Sequence, residues 1–135
     1  MSVVRDAMVP EPTSLPDGAS AQDAGVCFAD TPEMRAVFVS SGDGTLVGVI
    51  TRKTLVREVV AAGRDPREVE LREIAEPPLF TLDASVPLEE GFRALEERDL
   101  ERVPVVEDGR LVGVLSRAVV QRRLAEDDPP AVEVS

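Results

Sequence analysis

The sequence contains no histidine, tyrosine or tryptophan, and Cys27 is the single cysteine among 135 residues. A thiol with no imidazole to activate it is a poor start for nucleophilic catalysis. The carboxylates fall in runs such as "LEE", "EERD" and "EDD", a pattern of solvated helix faces rather than of an acid–base pair. No Cys/His cluster or calcium-loop spacing occurs, so neither an enzyme nor a metal site is expected. One cysteine cannot close an intrachain disulfide, which fits a reducing compartment. No run of 18 apolar residues occurs, and "MSVVRDAMVP" lacks a charged region followed by an apolar stretch. Neither a membrane span nor a signal peptide is indicated, and a cytoplasmic location is expected. Basic residues are also scarce: 15 against 26 acidic ones leave a formal charge of −11. That field repels phosphate backbones and anionic lipid, so nucleic acid and membranes are not expected as partners.

What the sequence does contain is a repeat. "LVGVITRKTL", Leu46 to Leu55, returns 65 positions later as "LVGVLSRAVV", and "VRDAMVP" from Val4 returns 67 positions later as "LREIAEP" from Leu71. "RAVFV" from Arg35 aligns with "RVPVV" from Arg102 at the same offset of 67. The two extra residues of the first copy fall in "SSGDG" against "EDG", a turn, where an insertion leaves the flanking strands in register. The chain therefore divides into a first unit at 1–63, a second at 64–125 and an acidic tail at 126–135, which is expected to be disordered.

Each unit reads as strand, helix, hairpin, helix. The β-branched runs are followed by Asp43-Gly44 or Asp108-Gly109 and then by the "LVGV" strand; Asp-Gly between apolar runs predicts a hairpin whose two central residues have positive φ. Ser20 with Asp23 forms a capping box for the helix before the first hairpin, and Pro87 falls in the first turn of the helix before the second. Leu88, Phe92 and Leu95 lie on one face of that helix, and Ala24, Cys27 and Phe28 form the weaker first-copy version. A further helix starts at Thr51 or Ser116; in the first copy its stripe of Leu55, Val56, Val59 and Val60 ends at Gly63, a C-cap. Asp65 and Pro66 are expected to open a short helical turn with Glu68 as capping partner.

This α/β (α+β) pattern of two β-α-β-β-α units resembles the cystathionine-β-synthase (CBS) domain, and the tandem resembles a Bateman module. The resemblance rests on "VRDAM", the Arg-x-Pro-Val-Val strand, the Asp-Gly turns and "LVGV" ending in a hydroxyl, and it covers roughly residues 3 to 125. It implies two units related by a pseudo-twofold axis, with each glycine-to-helix corner facing a cleft. Gly48 and Gly113 would permit close backbone approach, Thr51 and Ser116 would place helix N-termini against phosphate, and Arg52 and Arg117 could add charge-assisted contacts.

The family's ligand-binding copies carry Asp or Asn three residues after the hydroxyl to hold ribose. Here Thr54 and Val119 stand there. Valine accepts no hydrogen bond and threonine is a short substitute, so modest affinity is expected, and Thr54→Asp is expected to restore the acceptor without harming the fold. The purine would be recognised by backbone and apolar groups at Thr13, Ser14 and Val37, and at Phe80, Thr81 and Pro104. No cofactor is implied. The resemblance implies a regulatory, energy-sensing module for AMP, ADP, ATP or S-adenosylmethionine, acting on an unnamed effector protein. A ligand-free dimerisation module with degenerate clefts is the alternative. The stripe from Leu55 to Val60, with Phe92 and Leu95, leads to the expectation of a homodimer.

Overall fold

A computed structural model describes residues 2–10, 13–78 and 80–127. In chain order the elements are α1 (Val4–Ala7), β1 (Val9–Pro10), β2 (Ser14–Pro16), α2 (Ala21–Asp30), β3 (Val37–Ser40), β4 (Leu46–Ile50), α3 (Arg52–Leu55), a π-helical turn (Val56–Val60), α4 (Leu71–Ile74), β5 (Leu82–Asp83), α5 (Leu88–Glu97), β6 (Arg102–Glu107), β7 (Arg110–Ser116) and α6 (Arg117–Asp127). One sheet has the order β2-β3-β4 and the other β1-β7-β6-β5. In each, the strand before the long helix runs parallel to its neighbour, and the hairpin strands are antiparallel in the first sheet.

Packing follows a different line from the repeat. The described residues of Thr13–Leu79, with Gly109–Leu111, make one compact unit; those of Met1–Pro12, Phe80–Asp108 and Val112–Ser135 make the other. The lead-in of each copy thus belongs to the unit built on the opposite copy. Val4 and Ala7 lie in a core with Leu88, Leu95, Val103 and Leu115. Leu71 and Ile74, at the same positions of the repeat, lie in a core with Phe28, Val37, Val39 and Ile50. The backbone explains the first case: Val4 N–H donates to Val86 O, Arg5 N–H to Ala84 O, and β1 pairs antiparallel with β7 through Val9 and Val114.

The two hairpins differ. Asp108 and Gly109 have φ of 55° and 80°, the two-residue turn read from the sequence. In the first copy only Gly44 is left-handed, with φ of 89°, so the expectation that Asp43 shares that geometry is corrected. The two added residues lengthen the loop: Ser41 N–H donates to Thr45 O at 2.9 Å, Gly44 N–H to Ser41 O at 3.0 Å, and the register shifts between Val39 and Ser40. A longer loop bends with one glycine at the bulge and leaves its aspartate right-handed. Asp43 instead accepts from the Ser41 hydroxyl and the Thr45 N–H.

These bonds to the ionised form lower the Asp43 pKa from 3.8 to about 2, the Ser41 hydroxyl contributing most. A depressed carboxyl pKa stabilises the turn above its ordinary value, and that contribution disappears as pH falls from 3.8 through about 2. Ser41→Ala is expected to raise the Asp43 pKa toward the ordinary value, read by NMR titration of its carboxyl; an unchanged pKa would remove the hydroxyl as the main cause.

Other details refine the reading. The Ser20–Asp23 capping box is present in both directions, at 3.1 and 3.0 Å. Pro87 is the N-cap of α5 rather than part of its first turn. Gly63 has φ of 70°. At the joint there is a turn and no helix: the Asp65 carboxylate accepts the Arg67 N–H at 3.0 Å and pairs with the Arg67 guanidinium, a local bond that competes with helix initiation. Of the expected tail, α6 extends as far as Asp127 and the rest lies outside the described residues.

Candidate functional site

Thr51 caps α3 as the sequence suggested, but its capping partner is Thr54. Thr51 N–H donates to Thr54 Oγ1 at 3.2 Å, Thr54 N–H donates to Thr51 Oγ1 at 3.2 Å, and the two hydroxyls lie 2.9 Å apart. Thr54 is only 1% exposed. Its hydroxyl also reaches the Glu76 carboxylate at 3.4 Å, and that carboxylate forms an ion pair with Arg57. Threonine at this position is therefore the N3 half of a capping box. The helix start already has a carboxylate beside it, from the chain itself. An incoming phosphate would meet the Glu76–Arg57 ion pair as well as the helix dipole.

Arg52 faces away from any such anion. Its guanidinium donates to Met34 O at 2.5 Å, Pro32 O at 2.9 Å, Phe28 O at 3.2 Å and Thr31 O at 3.4 Å, and its carbon centre lies 4.8 Å from the Phe28 ring centroid. It ties the start of α3 to the end of α2, where carbonyls lack helical partners and a cation is favoured. Arg117 in the second copy meets carboxylates instead: its guanidinium lies 3.4 Å from Asp99 and 3.7 Å from Glu101, and its backbone N–H donates to Glu101 O at 2.8 Å. Asp99 follows the end of α5 with φ of 52°. The paired arginines of the repeat thus have a structural use that the sequence reading missed. For Arg52, the four unpartnered carbonyls at a helix end are the signal that could have suggested it.

The two glycines are occupied in the same sense. A Cβ on Gly48 would lie 2.7 Å from Glu76 O and 2.9 Å from the Ala75 side chain; one on Gly113 would lie 2.9 Å from Val9 O and 2.5 Å from Met8 Sδ. The close approach that glycine permits is taken by the backbone of a lead-in segment, through the pairing of Val49 with Glu76 and of Pro10 with Gly113.

The remaining residues divide by exposure. Val37 is fully buried in its own core and Pro104 is buried in β6, whereas Thr13 and Ser14 are exposed and Thr81 and Ser116 half-buried. The Phe80 ring carries the Arg98 guanidinium at 4.1 Å from its centroid. β2 is the edge of its sheet. Thr13 O accepts from Phe38 N–H and Asp17 N–H donates to Ser40 O, so both face β3. Alternation along the strand then turns the N–H and C=O of Ser14 to the outer edge. Among the described residues no group of three or more His, Cys, Asp or Glu could hold a metal ion, and no helix is long and apolar enough to cross a membrane.

Two sheet-and-helix units, each with a strand–glycine–hydroxyl corner, define a tandem of two modules of one type. The chain belongs to the CBS domain family, whose domain matches residues 4–61 and 71–126; the pair is a Bateman module. It is 32% identical over 94 residues to Hypoxic response protein 1 of Mycobacterium tuberculosis, covering 70% of this chain and 66%, just under two thirds, of that protein. A crystal structure of Hypoxic Response Protein I with two coordinated zinc ions shares 27% identity at a TM-score of 0.74, covering 90% of this chain and 98% of that one. A crystal structure of CBSX2 in complex with AMP shares 25% identity at a TM-score of 0.74, covering 94% and 98%.

Proposed function

We propose that the chain is a non-catalytic regulatory CBS pair, cytoplasmic and self-associating, that recognises the adenosine part of a small ligand with modest affinity and passes the resulting change to an effector protein. The observation that carries this reading is the outward-turned backbone of Ser14 on an exposed sheet edge, a donor–acceptor pair matched to the edge of a purine. The likeness to a CBS protein that holds AMP supports it. Glu76 beside the Thr51 corner is paired with Arg57, so the corner does not rank AMP, ADP, ATP and S-adenosylmethionine by charge. The second reading is a ligand-free module; the internal engagement of Gly48, Arg52 and Thr54 favours it.

Thermal-shift and calorimetric titration with these compounds separate the two. A ligand at 100 times its dissociation constant adds about 2.7 kcal/mol. Ser14→Pro deletes an N–H that makes no bond within the sheet, a substitution that edge strands tolerate. It is expected to leave the fold intact and to weaken adenosine binding about 10-fold, the worth of one hydrogen bond. Absence of any shift at millimolar adenosine, AMP, ADP, ATP and S-adenosylmethionine would select the ligand-free module. Binding that Ser14→Pro leaves unchanged would move the purine elsewhere.

A further inference from the structure

The repeat provides an internal comparison for the outer sheet edges, because one chain builds the same position twice. At the offset of 67, Thr81 corresponds to Ser14, Phe80 to Thr13 and Arg98 to Thr31. β5 is an edge of its sheet, as β2 is of the other. Ala84 N–H donates to Val106 O at 3.0 Å and Leu82 pairs with Val105, so alternation turns the N–H and C=O of Thr81 outward like those of Ser14. The two edges offer a ligand the same backbone pair.

Their flanks differ. Beside Ser14 stands Thr13, exposed and without a ring. Beside Thr81 stands Phe80, half-buried and packed against its core, with the Arg98 guanidinium over the ring at 4.1 Å from the centroid. That distance is well inside the range for a cation on an aromatic face. Arg98 and Thr31 are the C-caps of α5 and α2. The fold therefore needs no arginine here, since the first copy ends its helix on a threonine. Both members of the stacked pair are peculiar to the second copy. A guanidinium is planar and lies on a ring as a base does. With one side of Phe80 against the core, a purine that stacks on the ring beside Thr81 needs the place that Arg98 holds.

We infer that Arg98 is a built-in competitor at the second-copy edge: adenosine stacks on Phe80 only by displacing the guanidinium, whereas the Ser14 edge carries no such cover. This rests on the adenosine reading above and adds a regulation that acts at one edge and not at the other. Arg98 is exposed, and its backbone N–H donates to Ala94 O at 3.1 Å, so displacement moves a side chain and leaves α5 in place. Ligand at this edge frees a cation at the end of α5, a surface change that the Ser14 edge does not make and that is available to an effector protein. An exposed cation–π contact is worth roughly 2- to 5-fold in a binding constant, and that is the handicap Arg98 places on the second edge.

Adenosine is the probe, because it is neutral and removal of the Arg98 charge takes no attraction from it. NMR titration followed at the Ser14 and Thr81 amide signals reads the two edges separately. Arg98→Thr installs the first-copy residue on an exposed site and is expected to leave the unfolding midpoint unchanged. It should lower the adenosine midpoint at Thr81 roughly 2- to 5-fold and leave that at Ser14 unaltered. Millimolar adenosine that moves neither amide, in wild type or variant, would overturn the adenosine reading and the competitor with it. A responsive Ser14 amide would leave that reading standing, and three results at Thr81 would then overturn the competitor alone. These are a signal silent in both proteins, a midpoint that Arg98→Thr leaves unchanged, and a midpoint that it raises because the base stacks on the guanidinium instead.

Discussion

Gly48→Ala is expected to lower stability by about 3 kcal/mol, the upper range for overpacking a filled site. The added methyl would sit 2.7 Å from Glu76 O and 2.9 Å from the Ala75 side chain. Both belong to backbone held in place by the reciprocal Val49–Glu76 hydrogen bonds of 2.8 and 3.0 Å, so neither can retreat without breaking the bridge. Gly113→Ala is expected to cost less, about 2 kcal/mol, because the flexible end of Met8 can retreat and the fixed obstacle left, Val9 O, lies at 2.9 Å rather than 2.7 Å. Urea unfolding midpoints at unchanged m-value measure both. Equal, small losses below about 0.5 kcal/mol would show that the lead-in yields freely and that the glycines are not kept for packing.

Thr54→Asp reverses the expectation drawn from the family pattern. On the sequence alone, an aspartate at this position restores a ribose acceptor. In the structure the position is 1% exposed, and its side chain lies 3.4 Å from the Glu76 carboxylate. A carboxylate placed there is desolvated and faces a like charge, so the substitution is expected to destabilise the protein by about 3 to 5 kcal/mol near neutral pH. The introduced carboxyl would have a raised folded-state pKa. The destabilisation is therefore absent in acid and grows as pH rises above the ordinary aspartate value of about 4. Adding Glu76→Gln removes the repulsion and should recover at least half of the loss, so the two changes are non-additive in a double-mutant cycle. AMP affinity is not expected to rise in Thr54→Asp, since the new carboxylate is directed into the cap. Tighter AMP binding in a stably folded Thr54→Asp protein would establish that the side chain turns outward, and would restore the family's ribose role to this position.

Much of the architecture was legible in the sequence because it is local. β-Branched runs around Asp-Gly, the Ser20–Asp23 box and the Thr51 hydroxyl before α3 depend on residues no more than a few positions apart. Their side chains and backbones decide the outcome before any long-range contact forms. The repeat multiplied that evidence by supplying each element twice. The family followed from the order of those elements, and the match over both copies agrees with it.

The candidate site was less legible because its residues are defined by what approaches them from far along the chain. Nothing near Gly48 in sequence indicates that Glu76 will close over it, and nothing near Arg52 indicates that four carbonyls from Phe28 to Met34 will take its guanidinium. The sequence by itself determined the two hairpin units, their helix starts and the acidic surface, through turn chemistry, capping and net charge. The tertiary structure alone decided that each lead-in packs into the unit built on the opposite copy, that Arg52 and the glycines of the repeat serve the chain's own backbone while Arg117 pairs with carboxylates, and that Thr54 is a buried cap. Those outcomes depend on which surfaces meet across tens of residues, where burial and unpaired backbone groups, rather than local propensity, set the energy.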